Sequence, residues 1–548
     1  MLGFILDSVK EHFNGTKTLP SAIGLRTPML QQKLHDAYAL HQNGELDAAK
    51  CLYEEILQID SQNVDTLHLL GLLSHQNRSW IDAERFFNSA LILKPDFSQI
   101  YGNYAAYLKE QKRSAEALTS YLRSLHINPE DADLHLDVGV FLHDQTRFSE
   151  AVNYFEKALK IRKNYASALS NRGASLRELH RYDEARSSFD EAIMLDPSHA
   201  LAYSNRGFLL KHLSSFEEAL VNYDRALQID PDLAEANWNK GVLLLLLGNF
   251  SSGWSYYEWR KKTEHKTGDR LFNAPLWLGS ENLSGKKILI HWEQGLGDTI
   301  QFCRYIPQLS QLGAHVFFCP QGPLKALLSS LDENCQIIEV DDLTIEIDYH
   351  CPLLSLPLAF KTDLGNLPNQ TPYLFADPYL VQRWNVSLGS GGLRIGICWQ
   401  GSNSKGDLGR SFPLIHFNIL AQIPGTRLIS LHKGDGESQL FELPQGMTVE
   451  LPGDEFDSGS AALLDTAAVM MCCDLIITSD TGVAHLAGAL GLETWLALRL
   501  VPDWRWMLER VDTPWYPTMR LFRQKTEGDW EGVFSDIKKE ILLKYFPP

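Results

Sequence analysis

The chain has 548 residues, room for roughly three to five domains of ~100–200 residues each. Hydrophobic residues are 44% and charged residues 22%, which excludes a disordered, collagenous or polytopic membrane chain. With 50 Lys+Arg against 68 Asp+Glu the formal net charge is −18, so no nucleic-acid partner is expected, because such binding needs a positive field.

Residues 1–29 form an N-terminal segment without the basic n-region or small-residue cleavage site of a secretory signal. The longest aliphatic run, Val242 to Leu247, falls far short of the ~20 residues of a membrane span. The eight cysteines include no CxxC pair and are expected to be reduced thiols. The expectation is a cytoplasmic protein with no integral membrane segment.

From about residue 30 to 262 the sequence repeats every 34 residues. Ala37, Gly71, Ala105, Gly139, Gly173, Gly207 and Gly241 share one slot. Twelve residues later come Ala49, Ala83, Ala117, Ala151, Ala185, Ala219 and Gly253, and twenty-four residues after four of the anchors come Pro95, Pro129, Pro197 and Pro231. Small residues at two fixed slots let paired helices approach closely, and proline ends the second helix of each pair. This pattern resembles the tetratricopeptide repeat (TPR), and implies an α-solenoid of about seven helix–turn–helix units with a concave binding surface. The aromatic run from Gly253 to Arg260 predicts a packed junction with the next domain.

Two residues before the anchors stand Asn103, Asp137, Asn171, Asn205 and Asn239. A carboxamide has one acceptor and two donors, so it can pair with a peptide backbone without reading its side chains. The column resembles the asparagine ladder of TPR-bearing O-GlcNAc transferases. The resemblance implies that Asn103, Asn171, Asn205 and Asn239 bind acceptor peptide; the alternative is local helix–helix hydrogen bonding. The ladder lapses at His35 and Leu69 and carries an acid at Asp137.

After a linker at 263–284, strands alternate with helices, the signature of a parallel α/β sheet. In an N-terminal half, 285–388, strands are predicted at 286–292, 315–319, 335–340 and 347–351, with a helix at about 299–311. A C-terminal half, 389–548, begins with the strand from Leu393 and continues with strands at 427–431, 474–478 and 494–498. Its helices are predicted near 413–423, 461–472 and 482–490, and the glycine-rich stretch 386–392 is the expected hinge. Two Rossmann-like halves with a crevice between them describe the GT-B glycosyltransferase architecture.

Two turns after strands can carry chemistry. In Gly295-Leu296-Gly297-Asp298, the glycines let backbone approach a ligand and the following helix offers free amides. Asp298 is either a base for an acceptor hydroxyl or a helix N-cap. In Thr478-Ser479-Asp480-Thr481-Gly482-Val483-Ala484-His485, a helix start can bind a diphosphate. His485 shares a face with Thr481 and can donate to a phosphate oxygen.

The second turn resembles the D-[ST]-G-x-x-H motif of glycosyltransferase family 9, the heptosyltransferases. The first resembles that family's N-terminal loop, whose aspartate is the proposed base. The resemblance spans roughly residues 285–525. It implies Asp298 as catalytic base, with Asp480, Thr481, Gly482 and His485 on the donor phosphates and Gly295 and Gly297 lining the donor site. By looser alignment it implies Arg410, with Lys405 second, as the basic residue on the phosphates. Glu437 or Asp435 would sit on the ribose.

The whole layout is similar to bacterial TPR proteins with a family-9-like domain, some of which glycosylate flagellin. The implied function is an inverting, metal-independent glycosyltransferase that moves a sugar from a nucleotide-sugar to Ser/Thr of a polypeptide recruited by the repeats. The nucleotide-sugar is a substrate, and no cofactor or metal is implied. The alternatives are a TPR scaffold whose transferase domain only binds, and a transferase acting on lipopolysaccharide or another glycan. The aromatics at 504–516 are read either as a wall for sugar or base, or as core.

Overall fold

The computed structural model describes residues 28–263, 272–339, 345–402, 409–459 and 463–547. Lys405 and the first residues of the helix predicted at 461–472 lie outside them. By contacts the chain divides into two compact units. The first holds the repeats through Leu210 with Asp224–Asp230, and the second holds Lys211–Tyr223 and the chain from Pro231 onward.

The repeat region forms seven helix pairs among the described residues. They are α1 Pro28–Gln42 and α2 Leu46–Ile59, α3 Val64–Gln76 and α4 Trp80–Leu93, α5 Ser98–Glu110 and α6 Ser114–Ile127, α7 Ala132–Asp144 and α8 Phe148–Ile161, α9 Ala166–Glu178 and α10 Tyr182–Leu195, α11 Ala200–His212 and α12 Phe216–Ile229, and α13 Ala234–Leu246 and α14 Phe250–Tyr257. The anchor slot is small because an aromatic ring of the second helix lies against it. A Cβ on Gly139 would meet the Phe155 ring at 2.4 Å, and one on Gly173 the Phe189 ring at 2.7 Å. Those rings belong to a further 34-residue column, Phe87, Tyr121, Phe155, Phe189, Tyr223 and Tyr257, buried throughout.

The turn inside each pair places one residue in the left-handed region, at Gly44, Arg78, Lys112, Thr146, His180, Ser214 and Gly248. Within the first unit, polar side chains cross from one repeat to the next at a spacing of 35. His41 bonds Gln76 at 3.1 Å, His75 bonds Glu110 at 2.6 Å, and Lys109 pairs with Asp144 at 2.6 Å.

Among the described residues the second unit contains two wholly parallel sheets. In the first, β1 Lys287–His291, β2 His315–Cys319, β3 Cys335–Ile337 and β4 Tyr349–Pro352 run in the order β3-β2-β1-β4. In the second, β5 Leu393–Cys398, β6 Thr426–Ser430, β7 Leu475–Thr478, β8 Thr494–Leu498 and β9 Met519–Arg523 run β6-β5-β7-β8-β9. Strands buried on both faces read as continuous apolar runs, and all five residues of β8 are buried. Each order reverses beside its first strand, at β1/β4 and β5/β7. In open α/β sheets ligands bind at the carboxyl ends of strands beside such a reversal.

Three elements follow these strands or flank them: α15 Leu296–Phe302 after β1, α16 Pro378–Leu388 before β5, and α17 Gly482–Ala489 after β7. α15 starts three residues earlier than the predicted helix. Its N-cap is therefore Gly295, and Asp298 lies in its first turn rather than at the cap. The stretch expected as hinge is helical to Leu388, followed by Gly389, Gly391 and Gly392 at positive φ. β9 and the C-terminal helix Trp530–Tyr545 lie beyond the predicted elements.

The last repeat is packed, not solvated. Within the second unit Trp254 sits edge-on to Trp504 with centroids 5.2 Å apart, and its indole N–H donates to the Thr362 carbonyl at 2.9 Å. Buried Arg260 donates to Glu293 at 2.7 Å and to Ser355 at 2.8 Å. All eight cysteines are free thiols, and among the described residues no helix is long and apolar enough to cross a membrane.

Candidate functional site

Three turns at carboxyl ends of strands converge in the second unit: the one opening α15 after β1, the one opening α17 after β7, and residues 499–506 after β8. The first turns of α15 and α17 touch. A Cβ on Gly297 would lie 2.9 Å from His485 Cδ2 and 3.2 Å from Gly482 Cα. Glycine at 297 is thus required for this approach, which brings the free amides of two helix starts together. Gly401, after β5, lies beside Thr481, 3.4 Å from an added Cβ to its methyl group.

Asp298 accepts from the Gly295 backbone N–H at 2.8 Å through Oδ2, and from Arg505 Nη2 through Oδ1. Its side chain keeps 18% of its surface exposed. Burial raises its proton affinity, the nearby Asp503 also raises it, and Arg505, the Gly295 N–H and Arg410 lower it; the net direction is upward. Asp298 is thus not the N-cap that was one of its two sequence readings: from the first turn its carboxylate accepts from the N-cap N–H of Gly295, and its side chain remains partly open.

Arg505 was not found by sequence reasoning, although the segment 502–506 stood out for its aromatics. Its guanidinium is spent entirely on this site. Nη1 donates to Asp503 at 2.8 Å, Nε to Gln301 Oε1 at 2.5 Å, and Nη2 to Asp298. The plane lies 4.4 Å from the Trp504 ring centroid, a cation–π contact. Gln301 and Asp298 are about two hundred residues away in sequence, which is why no local pattern announced them.

Asp480 has a different setting. It is buried, its Oδ2 has no hydrogen-bond partner among the described residues, and burial together with Asp503, outweighing Arg410, Trp506 and Arg505, pushes its pKa up to about 6. Thr481 is the N-cap of α17 but makes no capping bond through its side chain. His485 is buried, bonds Tyr516 Oη through Nδ1 at 2.9 Å and stacks on Trp506 with centroids 5.4 Å apart. Burial, reinforced by Arg505, holds its pKa well below the usual imidazole range, so the ring is neutral. With Nδ1 on the tyrosine, Nε2 has no hydrogen bond among the described residues.

Arg410 is half-buried, and its charge acts on Asp298, Asp480, Asp503 and His485. The structure therefore brings Asp298, Gly295, Gly297, Asp480, Thr481, Gly482, His485 and Arg410 to one place. Glu437 serves its own turn after β6, where it accepts from the Gly434 N–H at 2.7 Å. Asp435 offers its backbone carbonyl to His432 at 2.6 Å.

The asparagine column divides. Asn103 bonds His68 Nε2 of the preceding repeat at 2.8 Å, and Asn171 donates to the Ser167 carbonyl on its own helix at 2.9 Å. The Asn103 bond is of the helix–helix kind that was the alternative to the ladder, whereas the Asn171 bond stays within its own helix. Asn205 and Asn239 are half-buried and make no side-chain hydrogen bond among the described residues.

Family models described as tetratricopeptide repeat match residues 105–168 and 166–199, and one described as TPR repeat matches 210–248. The first part of this chain is a TPR array. Among curated proteins, Protein FlbA of Caulobacter vibrioides is 25% identical over 311 residues, 52% of this chain and 51% of that protein. The chain thus spans about half the length of this relative. Among solved structures, Pseudomonas aeruginosa PilF is 21% identical, covers 38% of this chain and 96% of its own, with a TM-score of 0.35. A TPR protein of Parabacteroides merdae is 18% identical, covers 43% and 93%, and scores 0.39.

Proposed function

We propose that the chain is an inverting, metal-independent glycosyltransferase of GT-B build that moves a sugar from a nucleotide-sugar to Ser/Thr of a polypeptide held by the TPR array. The proposed setting is the cytoplasm, and flagellin is one acceptor that the resemblance in layout suggests. The observation that carries the reading is the meeting of the turn that holds Asp298, through Gly297, with the α17 helix start and His485, at the carboxyl ends of strands in two parallel sheets. These are the positions that the family-9 resemblance assigns to base and donor phosphate.

In this reading the donor diphosphate lies on the amides of Gly482 and its neighbours, with Arg410 beside it. Asp298 takes the proton of the acceptor hydroxyl, the oxygen attacks the anomeric carbon from the face opposite the leaving group, and the anomeric C–O bond to phosphate breaks. The nucleoside diphosphate leaves with its charge stabilised by Arg410, the helix amides and neutral His485 in the tautomer that carries its proton on Nε2.

A thermal-shift screen with ADP, GDP, UDP, dTDP and CMP tests the donor site. A ligand at about a hundred times its Kd adds roughly 2.7 kcal/mol. We expect one base to stabilise the protein and His485→Ala to reduce the effect. Turnover of the matching nucleotide-sugar in Asp298→Ala tests the chemistry, and full turnover there would remove Asp298 from it. One observation favours the scaffold alternative, in which the domain binds without turnover: both oxygens of Asp298 are already engaged. Nucleotide binding without sugar transfer by the wild type would decide for it.

A further inference from the structure

We infer that Arg505 is the positioning residue of this site, fixing the direction and ionisation of Asp298 from the other sheet's side. The inference rests on the transferase reading and deepens it. Asp298 follows β1 of the first sheet, whereas Arg505 follows β8 of the second. A carboxylate at the start of a short helix, held by one backbone N–H, can rotate about its χ angles. A planar guanidinium with three engaged nitrogens cannot follow it.

Each nitrogen of Arg505 has a separate partner. Asp503 and Gln301 anchor Nη1 and Nε, leaving Nη2 for Asp298. The anchor is itself immobile. Arg505 is buried, with Trp504 against one side, and Trp504 is enclosed by Trp254, Tyr257 and Phe302. The fork occupies Oδ1 from a fixed direction and Gly295 occupies one lone pair of Oδ2, while 18% of the Asp298 side chain remains open. The unused lone pairs of the carboxylate leave a site for the acceptor proton. Asp480 does not compete for this role, because its Oδ2 is wholly occluded.

The charge of Arg505 also opposes the burial that would otherwise protonate Asp298. Asp503 adds to the effect of burial, and Arg410 works with Arg505 against it. Without the guanidinium, Asp298 becomes a buried carboxyl beside a second acid, protonated at higher pH and free to turn.

The test compares wild type, Arg505→Lys, Arg505→Gln and Asp298→Asn. Release of nucleotide from the nucleotide-sugar matching the stabilising base of the ADP, GDP, UDP, dTDP and CMP panel is followed between pH 5 and 9. Arg505→Gln should keep the thermal shift with that nucleotide and lose about 10²-fold in kcat, the scale of a misplaced base. The acidic limb of its profile should move up by about one unit or more. Arg505→Lys, which keeps the charge but not the fork, should restore the limb more than the rate. Wild-type kcat and an unmoved limb in Arg505→Gln overturn the inference. Wild-type activity in Asp298→Asn takes Asp298, and the inference with it, out of the chemistry, whereas no nucleotide release by the wild type from any donor of the panel overturns the transferase reading instead.

A second measurement needs no substrate. Arg505→Gln should lower the melting temperature more at pH 7.5 than at pH 5, because an acid whose folded pKa is raised loses native stability as pH rises through it. Adding Asp298→Asn should recover the loss at pH 7.5. An equal loss at both pH values, with no recovery, overturns the inference even if no donor is turned over.

Discussion

Gly297→Ala asks whether the two helix starts meet as described. The added methyl would sit 2.9 Å from His485 Cδ2 and 3.2 Å from Gly482 Cα. Neither neighbour can yield: the ring is held by Tyr516 and Trp506, and the other contact is backbone. Overpacking of this kind costs about 1–3 kcal/mol. Alanine for glycine inside a helix returns ~0.5–1 kcal/mol, less at the second residue of α15, so the net loss should be about 1–2 kcal/mol. Thermal or denaturant unfolding measures it directly. In a His485→Ala background the ring contact is gone, and the same substitution should cost less by at least ~0.5 kcal/mol. Turnover should fall more than stability, since pushing the two turns apart moves Asp298 from the donor site. Gly297→Ala as stable as wild type, or the same cost in both backgrounds, would refute the close approach.

In the repeats, Gly139→Ala should destabilise by about 1–3 kcal/mol through the Phe155 ring, whereas Gly102→Ala should cost nothing or stabilise, its nearest neighbour being 3.6 Å away; unfolding of the two variants compares them. Thr146 is a β-branched residue at φ 60°, a strained choice, so Thr146→Gly should raise the melting temperature, by about 1 kcal/mol or less in stability. Asp137 has its pKa pushed up to about 7 by burial and by Asp133. Its folded value lies above the unfolded one, so the stability it gives is present below about pH 4 and is lost as pH rises through 7. Asp137→Asn should therefore exceed wild type in melting temperature at pH 8 and lose the advantage at pH 4.

The solenoid was legible because every repeat poses the same packing problem, so its solution recurs at a fixed spacing. The glycine anchors were visible as a column; their aromatic partners at Phe155 and Phe189 recur just as strictly, and the same alignment holds them. Most strands were legible as apolar runs to within a residue or two; β3 ends three residues short of its predicted end, and β9 was not read. What escaped was set by distant chain. Asp298 and His485 stood on recognisable turns, but the fork of Arg505 depends on Gln301 and Asp298 beside the other sheet. The start of α15 was misplaced because Gly295 caps without a side chain. The asparagine column shows the converse limit: one spacing fits Asn103, which bonds a neighbouring repeat, and Asn171, which bonds its own helix. Periodicity fixes where a side chain starts, and not which partner it finds.

The two carboxylates of the candidate site are separated by environment rather than by residue type. Asp298 is partly open, carries two donors and sits under a guanidinium, which oppose its burial, although its proton affinity remains raised on balance. Asp480 is closed off, has an oxygen without a donor and stands beside Asp503, which together raise its pKa to about 6. Paired acids in unlike surroundings are suited to different tasks. Under the transferase reading, the open, arginine-held Asp298 receives the proton. Asp480 changes charge near neutrality next to the helix start that would carry the diphosphate. Its ionised form repels that diphosphate and its neutral form does not. Nucleotide affinity should then weaken as pH rises through about 6, and Asp480→Asn should remove that dependence while leaving the Asp298 limb of the rate profile in place. Titration of the stabilising nucleotide against both proteins at pH 5.5 and 7.5 measures this. A wild-type affinity that does not change between the two, or a variant that keeps the wild-type change, would show that Asp480 does not govern the charge of the donor site.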